Sequence, residues 1–235
     1  MTEPRVLLLT GASRGIGRGI AEYFLDRGYI VCGCSRSASD LAHPRYRHRE
    51  LDVADEKGVR AWVASVAKEF GHIDVAVCCA GVVKSVLMMA VTPTAVMDEF
   101  LGTHLRGTFV VCREVSKVML RQRSGRIINV SSLGVPLHLK GAAAYVATKA
   151  AVEELTRVLA NELASSGVTC NVVRPALVMT GPALALGEEW AKRLVAQQSI
   201  PRTVEVAEVC NVIDFFASPA SSAITGQTIT MCYVD

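Results

Sequence analysis

The sequence predicts an α/β fold, a single domain built on a doubly wound parallel sheet, Rossmann-like, with helices on both faces. Three observations carry this expectation. Short β-branched runs alternate with longer helical patterns over the whole chain. The strand runs are continuously apolar rather than alternating, as expected where helices cover both faces of a sheet. A glycine-rich turn, "TGASRGIG", directly follows the first strand run and opens a helix, which is where a doubly wound sheet places its phosphate-binding turn.

The elements follow in order. "RVLLLT" (5–10) reads as the first strand, "GIGRGIAEYFLDRG" (15–28) as a helix and "YIVCGCS" (29–35) as the second strand. "YRHRELDV" (46–53), helix "EKGVRAWVASVAKEFG" (56–71) and strand "IDVAVCCA" (73–80) continue the alternation. A helical region running through "VCREVSKVMLRQ" (111–122), strand "GRIINVSS" (125–132) and helix "AAAYVATKAAVEELTRVLANEL" (142–163) come next. Strand "GVTCNVVRP" (167–175), helix "VAEVCNVIDFFAS" (206–218) and strand "QTITMCY" (227–233) close the chain. Residues 1–235 are thus read as one domain, and 181–200, outside the alternation, as a lid over substrate,.

Bulk properties exclude several classes. With 235 residues, 51% of them apolar, the chain can bury a substantial core,. No run of eighteen apolar residues occurs, so no membrane span is expected,. The apolar stretch near the N-terminus is too short for a signal-peptide core,. The eight cysteines (32, 34, 78, 79, 112, 170, 210 and 232) show no C-x-x-C pair and no histidine at ligand spacing. They read as reduced thiols of a cytoplasmic protein, with no metal site. A net charge of +3, with no basic cluster beyond "HPRYRHRE" (43–50), does not support nucleic-acid binding,.

In a doubly wound sheet, ligands lie beyond the carboxyl ends of the strands. After the first strand, Gly11, Gly15 and Gly17 allow a tight turn whose N–H groups can approach a pyrophosphate at the positive end of a helix,. After the second, Ser35 and Arg36 stand where an NAD site would place a carboxylate on the ribose hydroxyl,. Arg36 and Arg14 can instead neutralise a 2′-phosphate, which favours NADP(H). Tyr145 and Lys149 lie four apart and share one helix face,. Alone, that pair reads as a surface tyrosine resting on a lysine stem.

Read together with the glycine turn, the chain resembles the short-chain dehydrogenase/reductase family over nearly its whole length. The resemblance rests on "TGASRGIG", "LDV" (51–53), "AG" (80–81), "INVSS" (128–132), "YVATK" (145–149) and "VVRPALVMT" (172–180). It implies three catalytic residues: Ser132, thirteen before the tyrosine, together with Tyr145 and Lys149, while Ser131 is a structural neighbour. Tyr145 would protonate the carbonyl oxygen during hydride transfer, and Ser132 would polarise it. A free phenol titrates near ~10, and the Lys149 cation is expected to lower that value. The resemblance also implies a cofactor site. It comprises Gly11, Ser13, Arg14, Gly15, Ile16 and Gly17 in the first turn, Ser35 and Arg36 after the second strand, and Asp52 and Val53 at the adenine. Ala80, Gly81, Tyr145, Lys149, Pro175, Val178 and Thr180 complete it around the nicotinamide.

Departures from the family pattern are informative. Cys78-Cys79 replaces Asn-Asn before Ala80-Gly81, and reads as two small apolar residues in a core strand whose turn must be held otherwise. His104, counted with Ser132, Tyr145 and Lys149 as a catalytic candidate, replaces an asparagine of the proton relay; it reads equally as a substitute in that relay and as a satisfied core histidine,. Ala176 replaces a glycine, and the tail "ITGQTITMCYVD" differs from the usual ending, which leaves the oligomer geometry open. His138 reads as a solvated loop residue, and Met88, Met89 and Met179 as fillers of core gaps,.

The function implied is an NADPH-dependent ketoreductase similar to the 3-oxoacyl-carrier-protein reductases of the family, acting on a small carbonyl substrate that could be carried on a thioester. An alcohol or sugar dehydrogenase working oxidatively, and an NADP(H)-binding sensor, are the alternatives. Apolar faces on the helices around 110–120 and 150–163 imply a homo-oligomer, tetramer or dimer.

Overall fold

The structure is a computed structural model that describes residues 3–84 and 86–235. Seven parallel strands form one sheet in the order β3-β2-β1-β4-β5-β6-β7. The strands are β1 (Val6–Thr10), β2 (Ile30–Ser35), β3 (Tyr46–Glu50), β4 (Val75–Cys78), β5 (Gly125–Val130), β6 (Val168–Arg174) and β7 (Thr228–Thr230). Strand order reverses between β1 and β4, which opens a crevice at their carboxyl ends,.

Successive side chains of a strand point to opposite faces, so β1 serves two cores at once. Val6 and Leu8 enter one with Val59, Trp62 and Val63 of α2 (Glu56–Phe70) and Val111 and Val115 of α4 (Thr108–Gln122). Leu7 and Leu9 enter the other with Ile20 and Phe24 of α1 (Gly15–Asp26) and Ile213 and Phe216 of α8 (Val206–Ala217). All of β1 is buried, which explains its unbroken apolar run. Strand β3 is the exception. At the sheet edge only Tyr46 is buried, and "YRHRE" keeps its charges in water,.

Helix boundaries follow local chemistry. Asp55 caps α2 by accepting from the Gly58 N–H, and Gly71 ends that helix at φ +77°,. Glu205 and Glu208 form a reciprocal capping box at the start of α8,. Between β4 and β5 the chain makes α3 (Thr94–Phe100), a π-helical segment (Leu101–Gly107) and α4 without interruption. A second long helix, α5 (Ala143–Leu163), leads to β6.

Three expectations need correction. The last strand covers Thr228–Thr230 rather than 227–233, because the chain beyond Met231 leaves the sheet, with Cys232 at a positive φ of 59° and its carbonyl accepting from the Ile200 N–H. Met88, Met89 and Met179 do not fill core gaps; they are 54%, 77% and 42% exposed. The apolar residues of α4 and α5 mostly face inward, leaving Phe109, Leu120 and Val158 as the large apolar side chains exposed on these helices.

The expected lid region forms α6 (Gly181–Leu184) and α7 (Glu188–Val195). Ala191 and Leu194 pack with Leu177, Leu137 and Leu139 in a small apolar cluster, which Leu137 links to the core of α1 and α8,.

Candidate active site

One cleft of about 470 Å³ runs along the carboxyl ends of the central strands. Its lining brings together all the residues expected to act: Ser132, Tyr145, Lys149 and His104, the glycine turn, Ser35, Arg36, Asp52, Val53, Ala80, Gly81, Pro175, Val178 and Thr180. Segments distant in sequence meet because they follow the carboxyl ends of neighbouring strands of one sheet.

The phosphate end is built from backbone. Gly11 and Gly15 hold φ of +76° and +56°, a region that favours glycine,. A Cβ on Gly11 would lie 2.9 Å from the Ala80 Cα, and one on Gly17 would lie 2.1 Å from the Gly11 carbonyl oxygen. Helix α1 begins at Gly15 with no side-chain cap and no acidic residue in its first turn. Its leading N–H groups are therefore free to meet an anion. Arg14 and Arg36 are both exposed at this end, and neither forms an ion pair among the described residues. The residues present fit a dinucleotide with an extra phosphate.

The turn after β4, which lacks its expected asparagine, is held by Thr10. Its hydroxyl oxygen accepts from the N–H groups of Cys79 (3.1 Å) and Ala80 (3.0 Å). Cys78 is in the core, 3.9 Å from the Cys112 sulfur, whereas Cys79 is half-buried and lines the cleft. Burial pushes the Cys79 thiol up to about 11, so it is inert at neutral pH,. Sequence reasoning missed Thr10 because its role depends on a partner strand.

Tyr145 stands in the first turn of α5, half-buried, and Lys149 one turn on, buried. The Lys149 Nζ donates to the Val130 carbonyl at 2.8 Å and lies 5.9 Å from the phenol ring centre. Burial lowers its pKa to about 8, while Cys79, Cys78 and Glu153 oppose the shift. The expected lowering at Tyr145 is not seen. Burial raises its pKa above the ordinary value, and the adjacent Ser132 opposes that only in part. Desolvation of the phenolate outweighs a cation whose ammonium is turned to a carbonyl. Ser132, after the end of β5, accepts from the Gly134 N–H at 3.1 Å. Its neighbour Ser131 points the other way and donates to Glu153 at 2.5 Å. Glu153 in turn pairs with Arg174, which reaches Asp235 at the tail.

His104 lies in the π-helical segment, 1% exposed. The Val82 N–H donates to its Nε2 at 3.0 Å, and its Nδ1 lies 3.0 Å from the Thr148 hydroxyl. That hydroxyl donates to the Tyr145 carbonyl at 2.8 Å. The Nε2 atom also lies 3.1 Å from the Val82 carbonyl oxygen, so both nitrogens of the neutral ring are engaged whichever of them carries the hydrogen,. Burial, helped by the Lys149 cation, lowers the pKa of His104 to about 3. Its ring stacks on Phe100, with centroids 5.1 Å apart, and meets the edge of Tyr145 at 5.4 Å. The imidazole is thus a satisfied, neutral buried group that ties the turn after β4 to the helix carrying Tyr145.

Beyond these residues the lining of the cleft is largely apolar, with Thr92, Thr103 and the Lys84–Glu99 ion pair among its polar members. Val86, Leu87, Phe100, Leu139, Leu177 and Trp190 line it. Phe100 and Trp190 were not singled out from sequence; the spacing of four between Phe100 and His104 was the available signal. His138 is exposed, at φ +47°, and does not line the cleft.

Comparisons with known proteins agree with this geometry. The model of the family described as enoyl-(acyl carrier protein) reductase matches residues 11–233. The 3-oxoacyl-[acyl-carrier-protein] reductase FabG of Staphylococcus aureus is 37% identical over 232 residues, covering 94% of each chain. That of Vibrio cholerae is 35% identical over 233 residues, covering 97% of this chain and 95% of its own. Among solved structures, a tryptophan variant of actinorhodin polyketide ketoreductase with NADPH is 31% identical, with a TM-score of 0.91 over 99% of this chain and 98% of that one. ElxO with NADP bound has the same TM-score at 26% identity, over 97% of each chain.

Proposed function

The chain belongs to the short-chain dehydrogenase/reductase family and is an NADPH-dependent ketoreductase; from that premise we propose which side chains do the chemistry and what substrate they take. When bound, NADPH supplies the hydride. Tyr145 gives its phenolic proton to the carbonyl oxygen, and Ser132 donates a hydrogen bond to the same oxygen, stabilising the charge that develops there. Lys149, anchored by the Val130 carbonyl, orients the nicotinamide ribose and passes a proton back to Tyr145. The glycine turn holds the pyrophosphate, and Arg14 with Arg36 takes the 2′-phosphate. His104 acts as a positioning residue rather than a relay, because both ring nitrogens are already engaged.

The observation that carries this reading is the convergence of Ser132, Tyr145 and Lys149 on the cleft that the uncapped start of α1 also faces. Burial keeps Tyr145 protonated and so able to act as the acid in carbonyl reduction. The apolar wall suits a 3-oxoacyl group or a comparably hydrophobic ketone, delivered on a thioester. Helices α6 and α7, packed on their own small cluster, are proposed to act as the lid over it. The free cysteines fit a reducing, cytoplasmic setting,. Exposed Phe109, Leu120 and Val158 support a homo-oligomer built on α4 and α5.

The test is NADPH oxidation with an acetoacetyl thioester, with a crotonyl thioester as the enoyl control. Tyr145→Phe should lower turnover by roughly 10²–10⁴-fold while NADPH still binds. Undiminished turnover in that variant would remove the tyrosine from the mechanism. Reduction of the crotonyl substrate alone would replace carbonyl chemistry by enoyl chemistry.

A further inference from the structure

The basic stretch 43–50 has no part in the chemistry above, yet one side of it forms a shelf beneath the second-strand turn. On the edge strand β3, Tyr46 and His48 share a face, while Arg45, Arg47 and Arg49 point to solvent. His48 pairs in register with Gly33 of β2. The absence of a side chain at Gly33 is required here, since a Cβ would lie 2.7 Å from the Tyr46 hydroxyl and 2.7 Å from the Ala12 Cβ. The Tyr46 hydroxyl lies 2.9 Å from the His48 Nδ1. On the other side of the ring, Nε2 lies 3.1 Å from the Ser37 carbonyl oxygen and 3.1 Å from the Ser35 hydroxyl. The Ser35 hydroxyl itself donates to the Ser37 carbonyl at 2.8 Å.

One tautomer satisfies the set. Tyr46 donates to Nδ1, and Nε2–H donates to the Ser37 carbonyl, which also receives the Ser35 hydroxyl. Three side chains from two strands therefore close the Ser35-Arg36-Ser37 turn from below. Arg36 projects from the top of that turn into the cleft, exposed and with no carboxylate partner among the described residues. A guanidinium on a loose loop loses much of its advantage for a phosphate, because ordering a long side chain on binding costs conformational entropy.

We propose that His48 is a positioning residue for cofactor discrimination: braced by Tyr46, its ring fixes the Ser35–Ser37 turn in the shape that presents Arg36 to the 2′-phosphate of NADP(H). The inference rests on the NADP reading of Arg36 given above. It assigns to an edge-strand histidine, outside the cleft lining, a share of the preference for NADPH over NADH. NADH lacks the phosphate that Arg36 meets, so its binding should not respond to the brace.

The test is calorimetric binding of NADPH and NADH to the purified full chain and its variants, without substrate. The unaltered protein should bind NADPH more tightly than NADH. His48→Leu should weaken NADPH binding by about three- to tenfold, the range expected for one or two hydrogen bonds, and leave NADH binding as it was. His48→Gln, which keeps a donor near the Nε2 position, should restore most of the loss. In an Arg36→Ala background, His48→Leu should add nothing further, because the brace acts through that arginine. Tyr46→Phe removes a single oxygen and should give a smaller shift in the same direction, which guards against a His48→Leu chain that folds poorly. Equal weakening of both cofactors, or an undiminished effect in the Arg36→Ala background, would overturn the inference while leaving the NADP reading in place. Equal affinity for NADPH and NADH in the unaltered protein would overturn that reading and this inference with it.

Discussion

A buried imidazole with both nitrogens engaged has no room for a second proton, and at His104 this has a consequence for stability. Its pKa is about 3 in the folded chain, against an ordinary value of 6.5, because burial and the Lys149 cation oppose charging. Between those values the unfolded chain binds the proton and the folded chain does not. The contribution is therefore complete above pH 6.5 and is lost as pH falls toward 3. By pH 4.5 the loss from this one residue should be about 2–3 kcal/mol. Urea midpoints of the unaltered chain and of His104→Asn, each taken at pH 7 and pH 4.5, give the comparison. The asparagine variant should lose less stability on acidification, and an equal loss would assign the acid sensitivity to other groups. At the same scale, Tyr145 shows that a nearby cation does not by itself lower a phenol. The Lys149 ammonium is committed to the Val130 carbonyl, and desolvation decides the direction.

At the scale of elements, the turn from β1 into α1 is packed backbone to backbone. A methyl group on Gly17 would meet the Gly11 carbonyl at 2.1 Å, a contact that no side-chain rotation can relieve. Gly17→Ala should strain the turn by about 1–3 kcal/mol, and the strain should fall on the N–H groups that face the pyrophosphate. NADPH affinity, measured by fluorescence titration, should drop accordingly. Gly102→Ala, where a Cβ meets nothing within 4 Å, should leave affinity unchanged and serves as the control. If Gly17→Ala binds NADPH normally, the pyrophosphate does not lie on this turn. The π-helical segment belongs to this scale too. From sequence, 94–122 shows only helical periodicity. The seven π-helical residues that carry His104 between α3 and α4 leave no mark in it, because they shift the register without changing residue preference.

For the whole molecule, Val6 to Leu9 of β1 serve the two cores alternately, so the central sheet is firmly packed where the glycine turn, Ser132 and the 175–180 loop begin. Helices α6 and α7 share a smaller cluster with 137–139, and regions with few core contacts open most readily. The outer surface of α4 and α5 leaves Phe109, Leu120 and Val158 at 46%, 42% and 57% exposure. Sedimentation velocity at micromolar concentration should show a dimer or tetramer, and Phe109→Asp should shift it toward the single chain. A single-chain species alone in the unaltered protein would sink the assembly proposal.

What the sequence determined by itself is whatever a short stretch encodes. Glycine spacing in 11–17, the four-residue step from Tyr145 to Lys149, the arginines at 14 and 36, and the unbroken apolar strands all act through local geometry. Together with the resemblance they carried, these features foretold the sheet and the residues that gather at the glycine turn and around Tyr145 in the cleft. Tertiary structure alone decided the rest. Thr10 holds a turn almost seventy residues away, Phe100 and Trp190 become walls, and His48 meets the turn after β2 that carries Arg36. The direction of the Tyr145 shift and the neutrality of His104 depend on enclosure summed over several distant segments. Desolvation and hydrogen-bond satisfaction are properties of that enclosure, and no residue's neighbours along the chain specify them.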